Sequence, residues 1–401
     1  MLKVTKDGFE TYTKRFTVSR GASQKVAVRL EPKGPDDRTP RNTTATDPRT
    51  VIEQILDMGG TPFVRRNKEE VPISEENINT TEPLVAVRFA KSVNALHLDR
   101  IKSAADLETI AAPGSTLSDR SFEALNQFRA LQRLDLRETT FDHKLLRLLP
   151  AVLSLRQLDL SLTYLQDEDL AHLSALRRVE VLNIEYADIS AKGLTHLIKC
   201  KSLHELGLSF TTLKSTDLEP LTKMSRLRLV RLVGARSIDD RGCEILSNCP
   251  VLGSISLDST EVTNEGLRHL ATMERLEALG ICNTAVDDDG LKLLARSASL
   301  RLLGFNGSAI THIGLSHIAL LPLEMLHLPN FKGLNKEGIA IIGNMQALRS
   351  LNVSGTRIED EDITHLVNLK KLTFCDLQNT NVTDAGAQRL RKSLPSCNVQ
   401  W

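Results

Sequence analysis

The 401-residue chain reads as an α/β solenoid, with a parallel sheet on the concave side, helices on the convex side and a small all-β fragment in front. Three observations predict this. The first is an aliphatic pattern, L-x-x-L-x-L, that begins at Leu131 and recurs at Leu155, Val179, Leu203, Leu227, Leu252, Leu276, Leu300, Leu323, Leu348 and Leu372. The second is its spacing: the outer starts, 131 and 372, lie ten steps apart, a mean period of about 24 residues, which is the length of one supersecondary unit. The third is that only 4% of residues are aromatic, so the core must be aliphatic.

Row seven shows the unit best. In Leu276-x-x-Leu279-x-Ile281 the last two apolar positions alternate with Gly280, the period-2 signature of a short strand with one buried face. Thr284 and Val286 follow, then Asp287, Asp288, Asp289, Gly290 and Leu291-x-x-Leu294, whose spacing is helical. Carboxylates there suit the free N–H groups and the positive end of a helix. Other rows open their helices with Ser190, Asp239, Thr263, Thr311, Asn335 and Thr383, all able to cap, and Gly193, Gly242, Gly266, Gly290, Gly314, Gly338 and Gly386 follow where close approach or a strained turn is expected. Strand, turn and helix in about 24 residues can only stack in parallel. A column of hydroxyls, Thr139, Thr163, Thr211, Thr260, Thr284, Thr356 and Thr380 with Ser308 in one further row, is expected to be buried and to satisfy turn backbone from rung to rung.

With these residues in hand, the unit LEALGICNTAVDDDGLKLL resembles the bacterial leucine-rich-repeat family with threonine ladders, and is similar to the cysteine-containing repeats of eukaryotic F-box receptors. The resemblance implies a leucine-rich-repeat solenoid over residues 117–401. The closing NVTDAGAQRLRKSLPSCNVQW resembles that family's C-terminal cap, which would place Val399 and Trp401 at buried strand positions, the tryptophan as a lid on the core. Two rows depart from the pattern. Row five, LRLVRLVGARSI, has Ala235 at the threonine position; row nine, LPLEMLHLPNFKGL, has Pro322, Pro329 and Phe331. Each carries one extra residue, and each is expected to bulge or loosen the ladder.

Ahead of the repeats, residues 1–33 read as three strands with turns at Asp7-Gly8 and Arg20-Gly21. The run DGFETYTKRFTVSRGASQKVAVRLEP resembles the second half of a PEGA-type β module, which implies that the chain is the downstream part of a longer protein or begins inside a domain. Residues 34–46 read as a linker. Residues 47–116 read as the N-terminal cap: Asp47-Pro48 starts a helix over VIEQILDM, Gly59-Gly60 stops it, Phe63–Val64 and Leu84–Phe89 are strands, and Val93-x-x-Leu96-x-Leu98 is an irregular first row.

No phosphate-binding loop, dinucleotide fingerprint, zincin helix, nucleophile elbow or protein-kinase motif set is present, so the chain reads as non-catalytic, with no cofactor and no metal site. His172, His196, His269, His317 and His365 recur with the repeat as helix residues, and the acidic runs Asp287–Asp289 and Glu359–Asp362 read as helix starts rather than calcium sites. The six cysteines lack paired spacing and read as small core residues; with no leader or membrane span in the sequence as given, the cytoplasm is favoured. A net charge of +1 makes nucleic acid an unlikely partner and leaves a protein. Of Arg226, Arg228, Arg231, Arg236 and Arg241, Arg228 and Arg231 are expected on the concave side.

Function is expected on the concave face, where rows two to four carry Leu162, Tyr186 and Phe210 at the last variable position, rimmed by Arg133, Asp135, Arg137, Arg156, Asp159 and Glu185. Either a partner or the chain's own segments cover the three. The leading expectation is a protein-interaction scaffold. The alternative is a non-catalytic regulatory region of a larger enzyme, such as a bacterial Ser/Thr protein kinase.

Overall fold

A computed structural model describes residues 2–4, 12–14, 48–74, 80, 82–89, 98–307 and 309–401. The chain divides into two units, Met1–Thr46 and Asp47–Trp401. In the first, β1 (Leu2–Val4) pairs antiparallel with β2 (Tyr12–Lys14). The third strand expected before residue 33 and the linker at 34–46 lie outside the described residues, as do Val93 and Leu96 of the irregular first row. Leu98 of that row opens a 3-10 turn, Leu98–Ile101.

The second unit is built on one sheet, sixteen strands among the described residues. At its start stand a helix and strands where the sequence places them. Helix α1 (Pro48–Asp57) ends at Gly59, whose φ of 78° is the left-handed conformation glycine adopts without strain. Strands β3 (Gly60–Arg66) and β4 (Glu69–Pro72) form a hairpin, and β3 pairs antiparallel with β5 (Leu84–Phe89). From β5 onward every pairing is parallel: β6 (Thr109–Ala111), β7 (Arg133–Asp135), β8 (Gln157–Asp159), β9 (Val181–Asn183), β10 (Glu205–Gly207), β11 (Leu229–Arg231), β12 (Ser254–Ser256), β13 (Ala278–Gly280), β14 (Leu302–Gly304), β15 (Met325–His327), β16 (Ser350–Asn352), β17 (Phe374–Asp376) and β18 (Asn398–Gln400). β6 is one rung more than the leucine spacing revealed, because Ala112 stands where later rows carry a larger apolar residue.

A three-residue strand has no stability of its own; stacking supplies it. Leu155, Leu158 and Leu160 of row two are no more than 1% exposed, and their counterparts join one continuous core from Val51 to Val399. Rows five and nine do not loosen the ladder. β11 and β15 pair in register on both sides, because the extra residues and both prolines fall outside the strands. Phe331 is fully buried, edge-on to Phe305 at 5.4 Å.

Opposite the strands run α2 (Asp119–Ala124), α3 (Asp167–Leu173), α4 (Ala191–Leu197), α5 (Asp240–Ser247), α6 (Asn264–Leu270), α7 (Asp288–Leu294), α8 (His312–Ile318), α9 (Lys336–Ile342), α10 (Ile363–Leu366) and α11 (Asp384–Ser393). Rows one and four have 3-10 segments instead, His143–Ala151 and Ser215–Lys223, each with an internal proline that lacks the N–H an α-helix uses. Ser190, Asp239, Thr263, Thr311, Asn335 and Thr383 each cap as expected, accepting a backbone N–H of their own helix.

The carboxylate that follows the cap does something the spacing did not reveal: it serves the next rung. Asp167 accepts Ser190 N at 2.9 Å, Ser190 Oγ at 2.7 Å and Gly193 N at 2.9 Å. Asp240 does the same for Thr263 and Gly266, and Asp288 for Thr311 and Gly314. Asp360 accepts the Thr383 N–H and hydroxyl. The glycine is therefore required for close approach: a Cβ on Gly266 would stand 2.6 Å from Asp240 Oδ1. The threonine column works within its rung instead. Thr163, Thr211, Thr260, Thr284, Thr356 and Thr380 donate to the carbonyl three residues back at 2.6–2.8 Å, and only Thr139 reaches the preceding rung, at Ala112 O. In those six rows the turn folds the hydroxyl back toward its own strand, so it does not span to the neighbouring rung. Thr284 and Thr380 are half-buried and the other five are buried; Ser308 lies outside the described residues.

Trp401 is not a lid. It is 42% exposed while Val399 is buried, because the indole N–H needs an acceptor and finds Asp384 Oδ1 on α11 at 2.6 Å, with the Arg391 guanidinium 3.7 Å above the ring.

Two outcomes test this scaffold. Gly266→Ala is expected to lose about 1–3 kcal/mol in urea unfolding through overpacking; an unchanged midpoint would show that the Asp240 contact is dispensable. At Asp167 burial pushes the carboxyl up, but donation from the Ser190 hydroxyl, Ser190 N and Gly193 N overcomes it and holds it below its ordinary value. A folded value below the unfolded one stabilises above the ordinary carboxylate range, near pH 4, and that contribution is lost as pH falls through the folded value. Asp167→Asn is therefore expected to flatten the acid limb of the stability–pH curve; an identical limb would contradict the network.

Candidate functional site

Each strand ends in a turn whose conformation governs what can stand there. The eighth position of each row, two residues past the last leucine of the pattern, is left-handed along almost the whole stack: Gly114, Glu138, Leu162, Tyr186, Phe210, Gly234, Ser259, Asn283, Asn330, Gly355 and Asn379 have φ between 55° and 68°. This geometry turns the N–H toward the next rung. Leu162 N donates to Glu185 O at 3.0 Å, Tyr186 N to Ser209 O at 3.0 Å and Phe210 N to Val233 O at 2.8 Å, which carries the ladder beyond the strands. Glycine and asparagine adopt it readily, whereas other L-residues incur roughly 1–2 kcal/mol. Rows two to four nevertheless place Leu, Tyr and Phe there.

The three were expected to face out of the concave sheet as strand residues. The structure puts them instead on the rim past the ends of β8, β9 and β10, because the left-handed turn ends the period-2 alternation before it reaches them. Tyr186 is 40% and Phe210 45% exposed, and Leu162 is half-buried. The two rings stack at 4.7 Å with a 15° interplanar angle. Phe210 lies over Gly234, where a Cβ would stand 2.4 Å from Phe210 Cε1. Sequence reasoning missed Tyr164, which is 68% exposed and also left-handed at 56°; its signal was a tyrosine directly beyond the threonine position.

The charged residues divide. Arg133, Asp135, Arg137 and Asp159 line a recess of about 400 Å³ on the sheet face of β5 to β9, with Arg88 and Thr109 on its far side. Arg137 pairs with Asp135 at 2.8 Å and approaches Asp159 at 3.7 Å, while Asn183 Nδ2 donates to Asp159 at 3.1 Å. Arg133 donates to Gln157 at 2.8 Å. Arg156 does not line the recess: it sits before the strand, with Glu180 at 3.6 Å. Glu185 lies between recess and rim, half-buried. Burial first, then the charge of Asp159, pushes its carboxyl above the ordinary value, against the Ser209 hydroxyl, Arg231 and Arg137.

A second recess, about 370 Å³, opens over β11 to β16, where Ser256, Gly280 and Gly304 leave the sheet bare between Arg231 and His327. Burial pushes the His327 imidazole down and the Asp258 carboxyl up, the latter against donation from Cys282 N. The five arginines of row five do not gather in one place, although Arg226 and Arg228 line a common recess. Arg231 binds Asn183 and Glu205 on the sheet face, Arg228 lines a different recess with Glu180 and His204, and Arg241 pairs with Glu219 and Glu244. In the first acidic run Asp287 caps its own helix and Asp288 serves the next; in the second Asp360 serves Thr383, and Asp362 accepts Glu359 N without capping α10 through its side chain. The cysteines are free thiols, buried except the half-buried Cys282, and burial raises all six; Cys200 and Cys397 reach about 11.

No family model matches the chain, and no curated protein matches it. Among solved structures, the crystal structure of an internalin (inlF) from Listeria monocytogenes superposes with a TM-score of 0.52 at 20% sequence identity, covering 88% of this chain and 93% of that one. The fold is a leucine-rich-repeat solenoid. An internalin C2 (inlC2) from the same organism matches with a TM-score of 0.38 at 16% identity, over 65% of this chain and 93% of its own. Among the described residues no helix is long and apolar enough to cross a membrane.

The left-handed column holds Gly, Asn, Glu or Ser in most rows and Leu, Tyr or Phe in rows two to four. Tyr186→Asn is expected to leave urea stability unchanged or raise it by up to about 1 kcal/mol, because relief of backbone strain offsets the lost stacking. Asn330→Tyr, at the same position of row nine, is expected to lose about 1 kcal/mol or more. A Tyr186→Asn loss above about 1 kcal/mol would make the ring a structural element.

Proposed function

We propose that this protein is a non-catalytic interaction scaffold that binds a protein partner through the rim Leu162, Tyr164, Tyr186 and Phe210 and the adjoining Arg133, Asp135, Arg137, Asp159 and Glu185. One observation carries the reading: three consecutive rungs hold large apolar side chains where the backbone favours glycine or asparagine, and two of them, Tyr186 and Phe210, stand exposed. The ladder is served as well by glycine or asparagine, so a large side chain at this strained position gains nothing for it, and such strain is commonly retained for function. Exposed aromatics beside paired charges match the composition of a protein-binding hot spot and its rim. A protein is favoured over nucleic acid because the net charge is +1 and Arg137, Arg231 and Arg241 are held by carboxylates. Arg156 belongs to this surface less directly than the others, since it stands before the strands.

The proposal extends to organisation. Residues 1–33 are taken as a partial PEGA-like module, 34–46 as a linker, 47–116 as the solenoid's cap and 117–401 as leucine-rich repeats of bacterial type, carrying a threonine column, with a C-terminal cap. Six free thiols fit a reducing compartment, and the cytoplasm is the compartment proposed.

The test is affinity capture from extract of the native host with the full chain and with its Leu162→Ser, Tyr186→Ser, Phe210→Ser triple variant, both checked by circular dichroism. A partner held by the wild type and lost by the variant is expected. Equal retention by a folded variant would sink the assignment, and capture that vanishes in moderate salt together with nuclease treatment would point to nucleic acid instead.

A further inference from the structure

The charge pattern beside the aromatic stack identifies the kind of group that fits there. Glu185 directly precedes Tyr186 in the chain, and Asp159 ends the neighbouring strand β8. Among the described residues no Arg, Lys or His lies within ion-pair distance of Glu185; its side chain has the Ser209 hydroxyl. Asp159 shares Arg137 with Asp135, at 3.7 Å and 2.8 Å. One guanidinium thus serves two carboxylates in contact, and the third, half-buried, feels Arg231 and Arg137 only at longer range. Arg133 does not make up the difference, since it stands two rungs from Glu185, roughly 10 Å, and is turned to Gln157. Arg231 is occupied by Glu205 and Asn183. Next to this excess of negative charge lies the exposed, nearly parallel Tyr186–Phe210 pair, bounded by Leu162 on one side and the bare Gly234 on the other.

We propose that the rim takes a segment of the protein partner carrying an arginine or lysine next to an apolar residue, with the cation against Glu185 and Asp159 and the apolar group on the Tyr186–Phe210 stack. This rests on the docking reading above and adds the partner's chemistry to it. A cation here completes a pair that the fold leaves open, and aromatic faces beside it favour the same charge. An acidic segment would meet Glu185 and Asp159 directly, which specificity by like-charge repulsion disfavours.

An array of randomised dodecapeptides, probed with the full chain, tests the proposal. The bound sequences are expected to be enriched in Arg or Lys adjacent to Leu, Ile, Phe or Met. The strongest peptide, remade in solution, is expected to bind Glu185→Gln about ten-fold more weakly, and to lose a similar factor on the wild type when its basic residue becomes Gln. Gln can still accept the Ser209 hydroxyl and removes the cost of a buried charge, so the urea midpoint of this variant should be no lower than that of the wild type. Enrichment in Asp and Glu, an array without binding above background, or equal affinity for Glu185→Gln would each overturn the proposal. The two levels separate cleanly. A peptide lost by the triple serine variant but indifferent to Glu185→Gln removes the cation and keeps the docking surface, whereas one indifferent to the triple variant removes the docking surface itself.

Discussion

A parallel stack of short strands works only if every rung hands its backbone hydrogen bonds to the next, and that requirement governs this molecule. Three strand residues offer too few bonds to hold a rung, so the ladder is prolonged through the turn by a left-handed residue whose N–H reaches the neighbouring carbonyl. On the helical side the same hand-over is made by side chains. An aspartate of one rung accepts both the backbone N–H and the hydroxyl of the next rung's capping residue, together with a glycine N–H where that contact is described. Between these two seams the leucines fill a continuous core. The period of about 24 residues is the geometric consequence: each position must meet its own counterpart, so residues that satisfy it once must be repeated.

Much of this was legible before any coordinates, because burial at fixed spacing leaves a mark on composition. The rows, the capping residues and the burial of most of the threonine column all follow from residue type and period. What escaped were features set by direction rather than identity. A threonine hydroxyl can point along its rung or across it, and only the turn geometry decides; it points along. An aspartate at a helix start can serve its own helix or the neighbour's, and Asp287 and Asp288 do one each. Extra residues in rows five and nine looked disruptive by count, yet lie where no strand pairs. Trp401 was assigned by register to the core, but an indole N–H is better satisfied by Asp384 at the surface.

The candidate site shows the same division. Leu162, Tyr186 and Phe210 were recognisable as misplaced apolar residues by comparison with the other rows, which is a signal that periodicity supplies. Their location on the rim was not, because the alternation rule holds only while the backbone stays extended, and it stops at the left-handed residue. Arg156 was grouped with them by proximity in sequence, although it enters the rung before the strand and points to Glu180 instead. Tyr164 went unnoticed since its position carries no fixed residue type along the stack.

The two seams and the core use only some positions of each row, and this separation lets recognition evolve without endangering the fold. Positions facing the core or the seams repeat the same residue types, whereas strand positions on the sheet face vary from Arg133 to Ser256 to His327 within one architecture. The eighth position is the exception, being both a seam and a surface. Its backbone is held by the ladder, so a side chain placed there has a fixed direction and loses little further freedom on meeting a partner. Its conformation also penalises anything larger than glycine or asparagine. A row of large apolar groups at that position therefore couples rigidity to strain, and the Tyr186–Phe210 stack over Gly234 shows the two reconciled: the glycine gives up its side chain so that the neighbouring ring has a floor. Rows that carry Asn283, Asn330 or Asn379 relax the strain and present nothing to dock on. The rim at rows two to four departs from that economical solution, and its neighbouring Glu185 departs from it as well, holding a half-buried carboxyl with no cation in ion-pair contact among the described residues. Both departures fall within two rungs of each other, which is where an external group would restore what the isolated fold leaves unbalanced.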